Sequence, residues 1–166
     1  MESLSGNYQL ICAVFFVIIG ALNTGIAWFR GRHQRQEDQS IVGSHQRVLT
    51  WYFLATVIPF VTLFLGAEVS GLNIFKAVRE ASFNHSVFIL FSVVVFFFAA
   101  GFSYYIFVKD GAAELVRLSP IFRVQPAGWN TVKTWKCLGA LAVPIQLLSF
   151  SWVYNFCTHI LVPASP

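Results

Sequence analysis

The chain has 166 residues, of which 57% are hydrophobic, 17% aromatic and only 11% charged, with a formal net charge of +4. An average globular protein is roughly 45–50% apolar and about 25% charged. This composition excludes a disordered chain, argues against an ordinary water-soluble domain, and leaves no room for a large hydrophilic catalytic domain.

Four stretches contain no Asp, Glu, Lys or Arg: 8–29, 48–67, 86–108 and 137–166. A helix rises 1.5 Å per residue and the hydrocarbon core is about 30 Å thick, so a span needs about 20 mostly apolar residues. Each stretch is long enough. The pattern predicts an all-α integral membrane protein, a four-transmembrane-helix up-and-down bundle with a short outer amphipathic helix. It forms a single membrane domain over 1–166, with spans at about 8–29, 48–68, 86–108 and 134–160. A transmembrane barrel does not fit, because its strands would alternate polar and apolar residues over about ten positions.

The first stretch reads as a retained span rather than a cleaved signal, since no Lys or Arg precedes it and its apolar run is too long for a signal core. The loop 30–47 carries Arg30, Arg32, Arg35 and Arg47, is rich in Gln, and is expected to be an exposed, mobile turn with solvated His33 and His45. Ser44 is a candidate N-cap, so the second helix is expected to begin before its apolar span. That opening, Ser44-His45-Gln46-Arg47, resembles the membrane-associated eicosanoid and glutathione metabolism proteins over a handful of residues. The carboxylate expected within that helix has no counterpart here and the last loop differs, so no function is carried over.

The outer loop 69–85 contains Leu72, Phe75, Val78 and Ala81 at helical spacing, with Lys76, Arg79 and Glu80 elsewhere. This predicts a short amphipathic helix on the outer surface or against a partner. The third stretch is the most aromatic, with Phe88, Phe91, Phe96, Phe97, Phe98, Phe102 and Phe107 in one helix. The inner loop 109–133 holds an amphipathic turn at Leu115, Val116 and Leu118, then Pro120, Pro126 and Gly128. The prolines are expected to stop any long helix, and Asn130 to cap the fourth.

Orientation follows from charge. Nine basic residues, including Lys109, Arg117, Arg123, Lys133 and Lys136, fall in the two loops on one side, against Lys76 and Arg79 on the other. Basic loops stay cytoplasmic, so both termini are expected outside. Trp28, Trp51, Trp129 and Trp135 near the inner helix ends match an interfacial belt. The positive charge is read as this topological signal, with no nucleic acid implied. The expected partners are the lipid bilayer and other membrane subunits or a second copy.

No phosphate-binding loop, zinc-protease signature, Cys-x-x-Cys or serine elbow is present. The intramembrane polar residues are neutral. Hydroxyls such as Thr56, Ser92 and Ser103 are expected to bond their own preceding carbonyls. Larger amides such as Asn23 and Gln146 are expected to bond across helices. Pro59 and Pro144 are expected to kink their helices. Ala21-x-x-x-Gly25, Ala99-x-x-x-Ser103 and Gly139, Ala140 and Ala142 mark close helix contacts, within the bundle or with other subunits.

The candidate binding residues are Glu68, His85, Asn155 and His159, all expected at the outer interface. Imidazole and carboxylate at one depth could bind a metal, orient a quinone headgroup or pass a proton, or could simply be hydrated. His85 and His159 could ligate a b-type haem, although such ligands normally lie on facing helices inside a bundle. Cys12 and Cys157 both lie near outer helix ends and could form a disulfide if the first and fourth helices touch, while Cys137 is expected to be a free thiol. Three function classes follow. The first is a non-catalytic or accessory subunit of a larger membrane complex. The second is a small redox or lipid-handling enzyme with an outer His/Glu site, and the third is a homo-oligomeric channel or carrier.

Overall fold

The computed structural model describes residues 7–80, 83, 85–122 and 131–155, with the side chains of 119–122 and 149–155 outside that description. The described chain is all helical. Its elements are α1 (Tyr8–Arg30), α2 (Arg32–Glu37), a 3-10 turn (Gln39–Ile41), α3 (Val42–Ser70), α4 (Ile74–Arg79), α5 (Ser86–Val108), α6 (Gly111–Phe122) and α7 (Val132–Asn155). The helices containing 8–30, 39–70 and 86–108 are long and apolar enough to cross a membrane.

The long helices alternate in direction, and side-chain contacts fix this. Gln9 at the start of α1 meets Glu68 at the end of α3, whereas Trp28 at the end of α1 stacks on His45 near the start of α3. Likewise Gly66 late in α3 approaches Val87 early in α5, and Trp51 early in α3 covers Gly101 late in α5. Ser103 on α5 donates to the Gly139 carbonyl on α7 at 2.6 Å.

Small residues set how closely the helices approach. Ala13, Gly20 and Ala27 recur every seven residues along the buried face of α1. A Cβ placed on Gly20 would lie 2.4 Å from Val57 Cγ2 on α3. Above this point Phe16 stacks on Phe60 with ring centroids 4.0 Å apart. The α5–α7 contact repeats the device, because a Cβ on Gly139 would lie 2.8 Å from Ile106. Of the two contacts expected for Ala21-x-x-x-Gly25, the one within the bundle is not made among the described residues: both residues are exposed, and nothing lies within 4 Å of a Cβ on Gly25. Gly20, one residue away, faces α3 instead.

Large apolar side chains point outward along the bundle, among them Phe29 at 70% exposure and Phe97 at 65%. Leaving such a side chain in water forgoes roughly 1.5–3 kcal/mol relative to burial. Thr56, Ser92 and Ser103 bond the carbonyls four residues before them at 2.8, 2.8 and 3.1 Å, as expected. Pro59 and Pro144 lie inside α3 and α7, and both helices are assigned without a break.

Three expectations change. The 30–47 loop contains α2 and the 3-10 turn, and α3 starts at Val42, so Ser44 lies inside the helix rather than capping it. Pro120 does not stop α6, which runs to Phe122; Pro126 and Gly128 lie outside the described residues. Thr131 receives the Thr134 N–H on Oγ1 at 3.1 Å and caps α7, while Asn130 lies outside the described residues. In α4, Ile74 and Ala77 are buried, whereas Phe75 and Val78 of the expected stripe are 61% and 52% exposed and Leu72 packs against the core. Ala81 lies outside the described residues.

α3 ends in a Schellman turn. Gly71 adopts φ +67°, Leu72 N–H bonds the Ala67 carbonyl at 2.9 Å, and Gly71 N–H bonds that of Glu68 at 3.2 Å. Substituting Gly71→Ala should cost about 1–2 kcal/mol, the penalty of a Cβ in the left-handed region. The α1–α3 seam gives a second comparison. Gly20→Ala should lower the unfolding midpoint in detergent through overpacking of about 1–3 kcal/mol, and Gly25→Ala should leave it unchanged or raise it. Equal midpoints for the two variants would contradict this packing.

Candidate functional site

The predicted outer group is only partly assembled. Glu68, in the last turn of α3, is half-buried and accepts a hydrogen bond from Gln9 Nε2 at 3.3 Å. Gln9 is buried. The buried Tyr8 hydroxyl lies beside the Glu68 carboxylate and the Ile74 backbone, with its ring against Phe75 at 5.3 Å. Gln9 and Tyr8 thus join Glu68, and neither was anticipated. Their signal was positional: they open the first helix at the depth where the second ends.

His85 has a different task. It is the N-cap of α5, and its Nδ1 accepts the Val87 N–H at 3.3 Å. No hydrogen bond joins His85 to Glu68 among the described residues. Asn155 ends α7, and its side chain is not described. His159 and Cys157 lie outside the described residues. Cys12 is a free, half-buried thiol against the outer apolar core, and Cys137 is a free, exposed one. No group of three or more His, Cys, Asp or Glu that could hold a metal ion occurs among the described residues.

The opposite end, where α1 finishes and α3 begins, is more elaborately built. His45, expected to be solvated, is 0% exposed. Ile41, His45 and Leu49 follow one another at four-residue spacing and are all buried, so His45 sits on the core face of α3. That periodicity was its sequence signal. The His45 ring stacks on Trp28 at 5.5 Å with 5° between the planes. Arg35, from α2, places its guanidinium 3.7 Å from the Trp28 ring centroid and donates from Nη1 to His45 Nδ1 at 2.8 Å. Arginine is only a donor, so that imidazole nitrogen carries no proton while the bond holds. Partial burial draws the Arg35 pKa below the ordinary guanidinium range. α2 is thereby held against the ends of α1 and α3.

A second clasp joins α6 to the turn before α3. Arg117 forms an ion pair with Asp38 and donates to Ser40 Oγ at 2.6 Å. Asp38 also accepts from Ser40 N–H at 3.0 Å and caps the 3-10 turn. The Ser40 hydroxyl and then Arg117 hold the Asp38 carboxyl below the usual aspartate range. Deeper in, the Tyr105 hydroxyl donates to Glu114. The α5–α6 turn is tight: Asp110 has φ +52°, and a Cβ on Gly111 would lie 2.3 Å from the Tyr105 ring. Between the elements is a cavity of about 270 Å³ lined by Ile41, Ser44, Ala113, Glu114, Arg117 and Leu118.

No protein-family model, curated protein or solved structure matches the chain. Fold and composition define the class: an all-helical chain whose long apolar helices suit a multi-pass membrane protein.

A depressed folded-state pKa means that Asp38 contributes stability above its unfolded value, about 3.9. That contribution is lost as pH falls through the lower folded value. Unfolding midpoints in detergent should therefore drop on acidification below about pH 4. Asp38→Asn should be less stable than the parent at neutral pH and should show a smaller acid-dependent drop. An unchanged acid response in that variant would remove the clasp from the explanation.

Proposed function

We propose that the chain is a four-span membrane protein, with α7 as the fourth span, acting as a non-catalytic or accessory subunit of a larger membrane assembly. Its termini face outward and its basic loops face the cytoplasm. The orientation rests on nine basic residues against two.

The observation that carries the subunit reading is the outward face of α1. Ala21 and Gly25 are exposed there, and a Cβ on Gly25 meets nothing within 4 Å. Small residues let backbones approach closely, which is how helices associate inside lipid. The face of α1 at Ala13 and Gly20 already meets α3. An outward small-residue face fits a neighbouring helix from another chain. A second feature agrees. The side chains best suited to chemistry have structural tasks: His85 caps a helix, and His45 is held between Trp28 and Arg35.

The enzyme alternative retains one specific support, the half-buried Glu68 carboxylate bonded to buried Gln9 beside the Tyr8 hydroxyl. An outer-face ligand would meet this group rather than a His–Glu pair.

Purification in mild detergent tests the assembly. The parent should migrate with a partner or as an oligomer. Gly25→Leu should release a single chain of unchanged helicity, because the added side chain meets nothing within its own bundle. A parent that runs as a single chain, or a variant that stays assembled, would remove the subunit reading.

A further inference from the structure

We propose that the inner cavity between α6 and the start of α3 is a binding site for a zwitterionic phospholipid headgroup, an inference that rests on the membrane reading above. Its position sets the ligand's depth. Ser44 lines the cavity and lies four residues, about 6 Å of helix, before the uncharged stretch that opens at Val48. The cavity therefore opens where the hydrocarbon meets the headgroups.

Its charges set the ligand's chemistry. Glu114 and Arg117 are three residues apart on α6, share one face, and both line the cavity. A purely anionic group would meet the Glu114 carboxylate, and a purely cationic one the Arg117 guanidinium. A headgroup with phosphate and ammonium satisfies both. Each protein group keeps capacity for it. Arg117 bonds Asp38 and Ser40 through Nη2, leaving other guanidinium donors to face a phosphate. Glu114 receives the Tyr105 hydroxyl on Oε2, leaving Oε1 for an ammonium. The Ser44 hydroxyl adds a neutral donor. Ile41, Ala113 and Leu118 supply an apolar wall for the glycerol end.

Size argues for a headgroup rather than a large cofactor. Pockets that bury a drug-sized ligand run about 300–1,000 Å³, and this cavity is about 270 Å³. The two clasps also explain how the site stays formed. Arg117–Asp38 fixes α6 to the turn before α3, and Tyr105–Glu114 fixes α6 to α5.

The full chain, extracted in mild detergent and offered equal amounts of phosphatidylethanolamine, phosphatidylcholine and phosphatidylglycerol, can be examined by native mass spectrometry. One zwitterionic lipid should be retained per chain, in preference to phosphatidylglycerol. Glu114→Gln and Arg117→Gln should each lower retention about tenfold, the effect of losing one charge-assisted contact. Ala113→Phe should lower it equally by filling the cavity while leaving both clasps in place, with helicity by circular dichroism confirming that the variant folds. Equal retention of all three lipids, or retention unaffected by Ala113→Phe, would overturn the site. Release of the chain from membranes by alkaline carbonate would instead overturn the membrane reading beneath it.

Discussion

An outward-facing phenylalanine needs apolar surroundings, and that constraint governs how the rest of this chain is built. Phe29, Phe97 and their neighbours cover the long helices with a surface that water would penalise. Lipid removes that penalty and also removes the hydrophobic drive between helices, because a lipid tail is as apolar as leucine. What remains to hold the helices together is close contact and a few hydrogen bonds. The structure supplies both. Gly20 admits Val57, Gly139 admits Ile106, and Ser103 reaches the Gly139 carbonyl.

The same constraint sends polar chemistry to the ends. At the end where α1 begins the polar groups are few: Glu68 with Gln9 and Tyr8, and His85 at the start of α5. At the opposite end they form two linked clasps around short helices. Trp28, Arg35 and His45 bind α2 to α1 and α3, and Asp38, Ser40 and Arg117 bind α6 to the same turn. Basic residues that give the loops their charge asymmetry thus also brace the helix ends. Arg35 and Arg117 serve both purposes, while Arg30, Arg32, Arg47, Lys109, Lys133 and Lys136 are exposed at that end.

The contrast between the two glycines of α1 separates an internal contact from an external one. Gly20 and Gly25 are alike in a list of small residues, but five positions on a helix turn a side chain through roughly 140°. One therefore meets α3 and the other faces outward. Around α4 the apolar stripe divides: Phe75 and Val78 are exposed, Leu72 packs against the core, and Ile74 and Ala77 are buried. A helix of six residues at the rim of an apolar bundle has apolar side chains on both faces, so spacing alone does not say which one faces the protein.

The sequence by itself determined the long helices, their apolar surface, the early start of the second helix and the charge asymmetry. Each depends on local composition and on a rise of 1.5 Å per residue. Glu68 was legible as a carboxylate at the end of the second long helix because its place follows from counting along one helix. Its partners Gln9 and Tyr8 were not, since they come from a different helix, 59 residues away in the case of Gln9. His45 was misread because a polar loop suggests solvent, whereas its burial depends on Trp28 and Arg35 arriving from two other elements. Only the tertiary structure decided these matters, because a side chain's surroundings are set by which helices meet and at what rotation, and a linear pattern contains neither.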